Sequence, residues 1–157
     1  MAYSGMEYGK LAEAVTHHVP VEAYYRFRDR LPESWARRAE HWYAEFDRVQ
    51  RGAEAWRRGD LAEYGRLSFE SVHSSIYNWE IGSAELKTLY EIMTRTDGIY
   101  GGRFSGAGFK GCCTALIDPA YAESIEKKIT GEYLRMFPKL EGKYSFHLCS
   151  SADSVEL

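Results

Sequence analysis

Between Leu31 and Asp60 the apolar residues return at alternating steps of four and three: Trp35, Ala39, Trp42, Phe46, Val49, Ala53 and Trp56. Only an α-helix gathers all seven on one side, because its 3.6-residue turn brings positions three and four apart together. A helix with so greasy a face has to be covered, so the stripe is read as a core face and the fold as packed layers that include helices. Most of the arginines also fall between Arg26 and Arg66, which raises the question of a nucleic-acid surface. Glu33, Glu40, Glu45, Asp47, Glu54 and Asp60 are interleaved with them, and the whole chain carries a formal charge of −3. Alternating signs cancel the field a phosphate backbone needs, so the arginines are read as a solvated helix flank and no nucleic-acid partner is expected.

Other segments punctuate clearly. Gly59 closes the long helix, and Asp60 with Glu63 three residues on has the form of a capping box for a second helix, LAEYGRLSFESVHSS. Leu61, Tyr64 and Leu67 are its inward positions. Ser83 is expected to cap AELKTLYEIMTR, which stops before Asp97-Gly98. MEYGKLAEAV and VEAYYRFRDRL both read as helical, separated by His17-His18-Val19-Pro20. After residue 97 the pattern changes: IYGGRFS and GCCTALID are short β-prone runs around the glycine-rich GAGFKG. Asp118-Pro119 starts a helix, AYAESIEKKITGEYLRMF, with Ala122, Ile125, Ile129 and Met136 on one side. KYSFHLC reads as a returning strand and SVEL as a last short one. The expected fold class is α+β: a ferredoxin-like antiparallel sheet in a β-β-α-β unit, preceded by and packed against a helical segment.

At 157 residues this is read as a single domain, with helical residues 1–30, a helical part over 31–96 and the β-β-α-β part over 97–157. No apolar run approaches the roughly 20 residues of a bilayer span, so no membrane role is expected. The opening MAYSGMEYGK reads as neither a secretory signal nor a transit peptide. The 3 cysteines, Cys112, Cys113 and Cys149, are odd in number and two are adjacent, so a disulfide scaffold is not expected and a reducing, cytoplasmic setting is.

Three places have chemistry-bearing residues. Gly106, Gly108 and Gly111 spell G-x-G-x-x-G, but the motif needs a strand before it and a helix after it to receive a pyrophosphate, and here a strand follows. A glycine-rich loop between two strands remains, open to two readings: an anion-binding nest of backbone N–H groups, or a bulged hairpin with no ligand. His73, Ser74 and Ser75 place a base beside hydroxyls, yet neighbours on one helix end point in different directions, so a local nucleophilic pair is not expected. Cysteines and histidines show no metal-ligand spacing, and no metal site is expected.

The stretch GIYGGRFSGAGFKGCCTALID resembles the third signature motif of the GHMP sugar kinases, in the galactokinase branch. RRAEHWYAEFDRVQRGAEAWRRGDLAEYGRLSFESVHSSIYNWEIGSAELKTLYEI resembles the helical part of the same proteins' C-terminal domain, and the match runs in register from about Leu31 to the C-terminus. Where the family loop has glycine this chain has Lys110, and the basic residue followed by two cysteines is more similar to the galacturonokinases. The first 30 residues match weakly.

The resemblance implies the C-terminal lobe of an ATP-dependent sugar 1-kinase whose acceptor is a monosaccharide or a uronic acid. It implies that Arg103, Ser105, Gly106, Ala107, Gly108, Phe109 and Lys110 form a loop by the nucleotide phosphates, and that His73 and Ser74 line an interlobe groove. Family members also carry an N-terminal lobe with a Ser-rich phosphate loop and a catalytic aspartate; no GLSSS-type segment occurs here and no residue is assigned as catalytic base. ATP and Mg²⁺ are therefore expected only with an N-terminal lobe, in the same or a separate chain, and an orphaned lobe is expected to form a homodimer. Two other readings are a stand-alone ferredoxin-like binding or regulatory module and a structural half that assembles with a separately encoded lobe.

Overall fold

The computed structural model describes residues 19–109 and 111–150. The expected helix at MEYGKLAEAV, the SVEL strand and Lys110 lie outside them. The elements run α1 (Val21–Phe27), α2 (Glu33–Arg57), α3 (Leu61–Tyr77), α4 (Ala84–Thr94), β1 (Ile99–Phe104), β2 (Cys113–Ile117) and α5 (Ala122–Met136). The caps act as the sequence implies. Gly59 ends α2 at φ +69°, Asp60 accepts the Glu63 N–H at the start of α3, and Ser83 accepts the Leu86 N–H at the start of α4. Asp118 caps the short 3₁₀ turn Pro119–Tyr121 that leads into α5.

β1 and β2 pair antiparallel from Ile99↔Ile117 to Phe104↔Cys113, with an irregularity between Ile99 and Gly101 that leaves Tyr100 unpaired. This hairpin lies on α3 and α4. α3 approaches β1 backbone to backbone: a Cβ added at Gly65 would sit 2.0 Å from the Tyr100 carbonyl oxygen, and one at Gly101 2.2 Å from the Gly65 oxygen. Two apolar clusters fill the remaining space. Val72 and Ile76 of α3, Leu86 of α4 and Phe104 of β1 form one; Ile92 and Met93 of α4 with Ile125 and Ile129 of α5 form the other. Each fully buried isoleucine, Ile92 and Ile125, contributes roughly 1.5–3 kcal/mol from removing its side chain from water.

Several expectations are corrected. The greasy stripe of α2 is not core: Phe46 and Val49 are each 67% exposed, and Trp35, Trp42 and Trp56 are also on the surface. α2 instead turns a polar and small face, with Gly52 and Ala55 buried, toward α3. Glycine and alanine let the two backbones approach, while Ser71 donates to Glu45 and Ser74 pairs with His41 across the contact. Tyr64 on α3 is likewise at the surface, its ring tilted against that of Trp56 with centroids 5.0 Å apart, whereas Leu67 is buried.

Another correction concerns KYSFHLC, which forms no strand. Its alternation of Tyr144, Phe146 and Leu148 has the strand period, but only Phe146 reaches the α4–α5 cluster, and Tyr144 and Leu148 remain exposed. Gly142 at φ +71° turns the chain just before it. The α+β class holds, with a sheet of two strands among the described residues. Met136, expected on the buried side of α5, is exposed at its last turn.

Candidate functional site

The loop between the strands is anchored at one point and open at another. Phe104, at the end of β1, is buried against Val72, Ile76 and Leu86. The Ser105 N–H donates to the Cys112 carbonyl (2.9 Å), closing the loop's base. Gly106, Gly108 and Gly111 have φ of +86°, +74° and +107°, backbone that a side chain strains and glycine adopts freely. Gly108 is pressed against α4's start: its carbonyl accepts the Ser83 N–H at 2.6 Å, and a Cβ there would lie 2.6 Å from the Phe104 ring and 3.2 Å from the Gly82 Cα. Nothing stands within 4 Å of a Cβ placed on Gly106. Phe109 is exposed. Among the described residues none accepts a hydrogen bond from the N–H groups of Gly106, Ala107, Gly108 or Phe109. These four consecutive amides thus have no acceptor among the described residues, and positive-φ glycines are the backbone form in which runs of N–H donors can meet an anion.

Arg103 does not join that loop. Its side chain lines an open groove of about 540 Å³ between α2 and α3, together with Glu45, Arg48, Trp56, Tyr64 and Ser68. Arg48 Nε donates to Glu45 Oε1 (2.6 Å), and Ser71 Oγ donates to the other oxygen of the same carboxylate (2.8 Å).

His73 and Ser74 part company as the helix requires. His73 is exposed, its ring 4.5 Å from that of Tyr77. Ser74 is buried: its Oγ lies 3.0 Å from His41 Nδ1 and accepts from Asn78 Nδ2 at 3.1 Å. A serine–histidine pair does exist, but with a histidine 33 residues away and a hydroxyl no substrate reaches. It bolts α2 to α3. His41 escapes hydrophobic-pattern reading because it is polar, although 41, 45, 48, 52 and 55 repeat the same four-and-three step as the greasy stripe.

Burial holds the His41 imidazole below its ordinary pKa of 6.5, with the Arg48 charge pushing the same way and Glu45 opposing. The folded chain therefore binds fewer protons there than the unfolded chain, and stability is lost as pH falls through 6.5 toward the depressed value. The urea midpoint of the parent is expected to drop between pH 7 and pH 5, and that of His41→Gln to drop less. Equal pH dependence in both would show that His41 is not the titrating group.

Burial pushes the Cys113 thiol up to about 12, away from a nucleophile's range, and Cys112 and Cys149 are exposed and free. Among the described residues no three His, Cys, Asp or Glu side chains group as metal ligands, and no helix is long and apolar enough to cross a membrane.

Residues 53–135 match the family description "GHMP kinases C terminal". Galacturonokinase of Arabidopsis thaliana is 41% identical over 126 residues, covering 78% of this chain and 30% of that protein. Galactokinase of Bos taurus is 34% identical over 130 residues, covering 83% of this chain and 31% of that protein. Among solved structures, Lactococcus lactis galactokinase complexed with galactose superposes with a TM-score of 0.71 at 28% identity, over 77% of this chain and 31% of that one. The chain thus spans about 30% of the length of the relatives it matches.

Proposed function

This chain belongs to the GHMP kinase family as its C-terminal domain, and from that premise we propose that it forms one wall of the nucleotide-phosphate site of an ATP-dependent sugar 1-kinase. The observation that carries this reading is the run of amides from Gly106 to Phe109 that no described residue accepts, with Gly106 and Gly108 at positive φ. Phosphoryl transfer depends on positioning and on charge stabilisation around the phosphates, which preorganised N–H donors supply without reorganising during the reaction. The amides of residues 106–109 would donate to phosphate oxygens, and Lys110 would add positive charge. Ser105 stays at the loop's base, tied to Cys112, and positions the turn. Arg103, His73 and Ser74 are left outside the phosphate cradle. Mg²⁺ supplies charge neutralisation when bound, and since the described residues offer no ligand cluster, its ligands are assigned to the phosphates and an N-terminal lobe.

A uronic acid is the preferred acceptor. The Arabidopsis galacturonokinase is more similar than the bovine galactokinase, 41% against 34% identical, and the Lys110-Gly111-Cys112-Cys113 run follows the same branch. The three cysteines, free in the structure, suit a reducing, cytoplasmic setting.

On this reading the chain alone would offer donors to phosphate, and among the described residues no group is placed as a base. It is expected to produce no ADP from ATP, Mg²⁺ and either galactose or galacturonate. Adding an N-terminal lobe bearing the Ser-rich phosphate loop is expected to restore turnover, faster with galacturonate. Turnover by the isolated chain at about 1 per second or more, an ordinary enzymatic rate, would overturn the single-wall reading.

A further inference from the structure

Among the described residues one non-glycine has a left-handed backbone: Glu80, at φ +62°. A side chain strains that conformation, so it persists only where its surroundings hold it. Here the residue's own carboxylate is the handle. Arg37 Nη2 donates to Oε1 and Arg38 Nη2 to Oε2, each at 2.7 Å, so both oxygens are engaged by successive residues of α2. The two guanidiniums are themselves tethered one turn back on the helix. Arg37 Nη1 donates to Glu33 Oε1 at 2.5 Å, and Arg38 Nη1 to the Ser34 carbonyl at 3.0 Å. The arginines, Arg37 foremost, hold the Glu80 carboxyl below the usual carboxylate range, so the grip is charged at neutral pH.

From Glu80 the chain runs straight to the glycine loop. Ile81 packs on the cluster of Val72, Ile76, Leu86 and Phe104. Gly82, at φ +99°, brings the backbone beside Phe104, where an added Cβ would sit 3.1 Å from the ring. The Ser83 N–H then reaches the Gly108 carbonyl at 2.6 Å. A trans peptide unit is planar, its C=O and N–H pointing in opposite directions, and the described residues contain no cis bond. Fixing the Gly108 oxygen on Ser83 therefore turns the Phe109 N–H away from α4, and no described residue accepts it. The direction of this donor follows the position of Ser83, three residues beyond the strained residue that α2 grips.

We propose that Glu80 is a positioning residue for the anion site: held by Arg37 and Arg38, it fixes the Asn78–Ser83 connection so that Ser83 aims the Phe109 N–H outward as a donor. What the donor meets rests on the phosphate reading above; that it is aimed does not. Exposed ion pairs are individually weak and screened by salt, so the aim of this amide is sensitive to ionic strength.

The test uses nuclear magnetic resonance of the isotope-labelled full chain. In the parent, the residual dipolar coupling of the Phe109 N–H is expected to fit the common alignment of α3 and α4, with slow exchange at the Ser83 N–H. Glu80→Gly relieves the backbone and removes the carboxylate, while Glu80→Gln keeps the length and loses the charge. Both are expected to shrink the Phe109 coupling toward zero and to speed Ser83 exchange about 10-fold, the scale of two lost exposed ion pairs. The urea midpoint of Glu80→Gly is expected to stay near the parent's, because the strain leaves with the grip. Arg37→Gln combined with Arg38→Gln is expected to reproduce Glu80→Gln, and the triple change to add nothing further. Raising salt to about 1 M should loosen the parent and leave Glu80→Gln unchanged. Parent-like Phe109 coupling and Ser83 exchange in Glu80→Gly overturn the inference, and so does full additivity of the arginine and glutamate changes. Inorganic tripolyphosphate then separates the two readings. A Phe109 amide that it shifts in the parent, with about 10-fold weaker affinity in Glu80→Gly, supports both. Equal affinity in the two overturns the positioning role and leaves the phosphate reading. An aimed Phe109 amide that tripolyphosphate does not shift overturns the phosphate reading and not the clamp.

Discussion

Gly108→Val, placed in a two-lobe enzyme completed around this chain, is expected to reduce ATP turnover about 100-fold, the cost of losing preorganised backbone donors at a developing charge. Two effects act together at this position. Valine cannot relax comfortably at φ +74°, and its Cβ would meet the Phe104 ring at 2.6 Å and the Gly82 backbone at 3.2 Å. Phe104 is held by the α3–α4 core, so the loop has to lift away from α4 and give up the Ser83 N–H to Gly108 hydrogen bond. Gly106→Ala separates strain from displacement: its φ is +86° but its Cβ meets nothing, so only a backbone cost of about 1–2 kcal/mol applies. ATP affinity and turnover should therefore be ordered parent, Gly106→Ala, Gly108→Val, while sugar affinity changes little across the three. If Gly108→Val turns over like the parent, the glycines make a tight turn and nothing more.

The largest loss of stability is expected at a position with no part in binding. Gly65→Ala introduces a Cβ 2.0 Å from the Tyr100 carbonyl oxygen and 2.8 Å from the Gly101 amide nitrogen. Both are backbone atoms in a strand that is itself pressed onto α3, so no side chain can rotate away and the helix and hairpin must separate. The expected cost is about 3 kcal/mol or more, at the upper end for overpacking a well-packed contact. Alanine's better helix propensity, about 1 kcal/mol, offsets only part of it. Chemical denaturation of Gly65→Ala beside Gly131→Ala is the direct comparison, because Gly131 on α5 has nothing within 4 Å of its Cβ. A stable Gly65→Ala would mean the close approach of α3 and β1 is not maintained in solution.

How far the chain could be read beforehand depended on which physical signal each element carries. Caps are local: Asp60, Ser83 and Asp118 each accept an N–H two or three residues away, so their chemistry is visible in a short window. The two strands were legible because β-prone runs flanked a glycine-rich turn. The role of α2's stripe was not, because periodicity reports that a face is apolar and says nothing about who covers it. The face that α2 does bury is polar and small, and its His41–Ser74 and Glu45–Ser71 links span 33 and 26 residues, beyond any local pattern. In the candidate site, glycine spacing located the loop and left it open between an anion nest and a bulged hairpin. Arg103 was grouped with it by the family resemblance, and strand alternation turned its side chain toward the α2–α3 groove. KYSFHLC failed as a strand for a related reason: period-two alternation is necessary for half-burial and does not by itself supply a second face.

The Ser83–Gly108 hydrogen bond bears on how this domain tolerates insertions and deletions. Surface connections ordinarily lengthen or shorten with little penalty, since closing a longer loop costs only slowly more entropy. Here two connections, Asn78–Ser83 and Ser105–Cys112, touch at one backbone contact between Ser83 and Gly108, and Glu80 within the first adopts φ +62° while Arg37 and Arg38 both grip its carboxylate. A residue added to either segment would carry its partner out of place, so their lengths are coupled although 25 residues separate the two anchors in sequence. Length variation in this fold is expected to collect elsewhere, at sites such as the Gly142 turn, while these two loops change length only together or not at all.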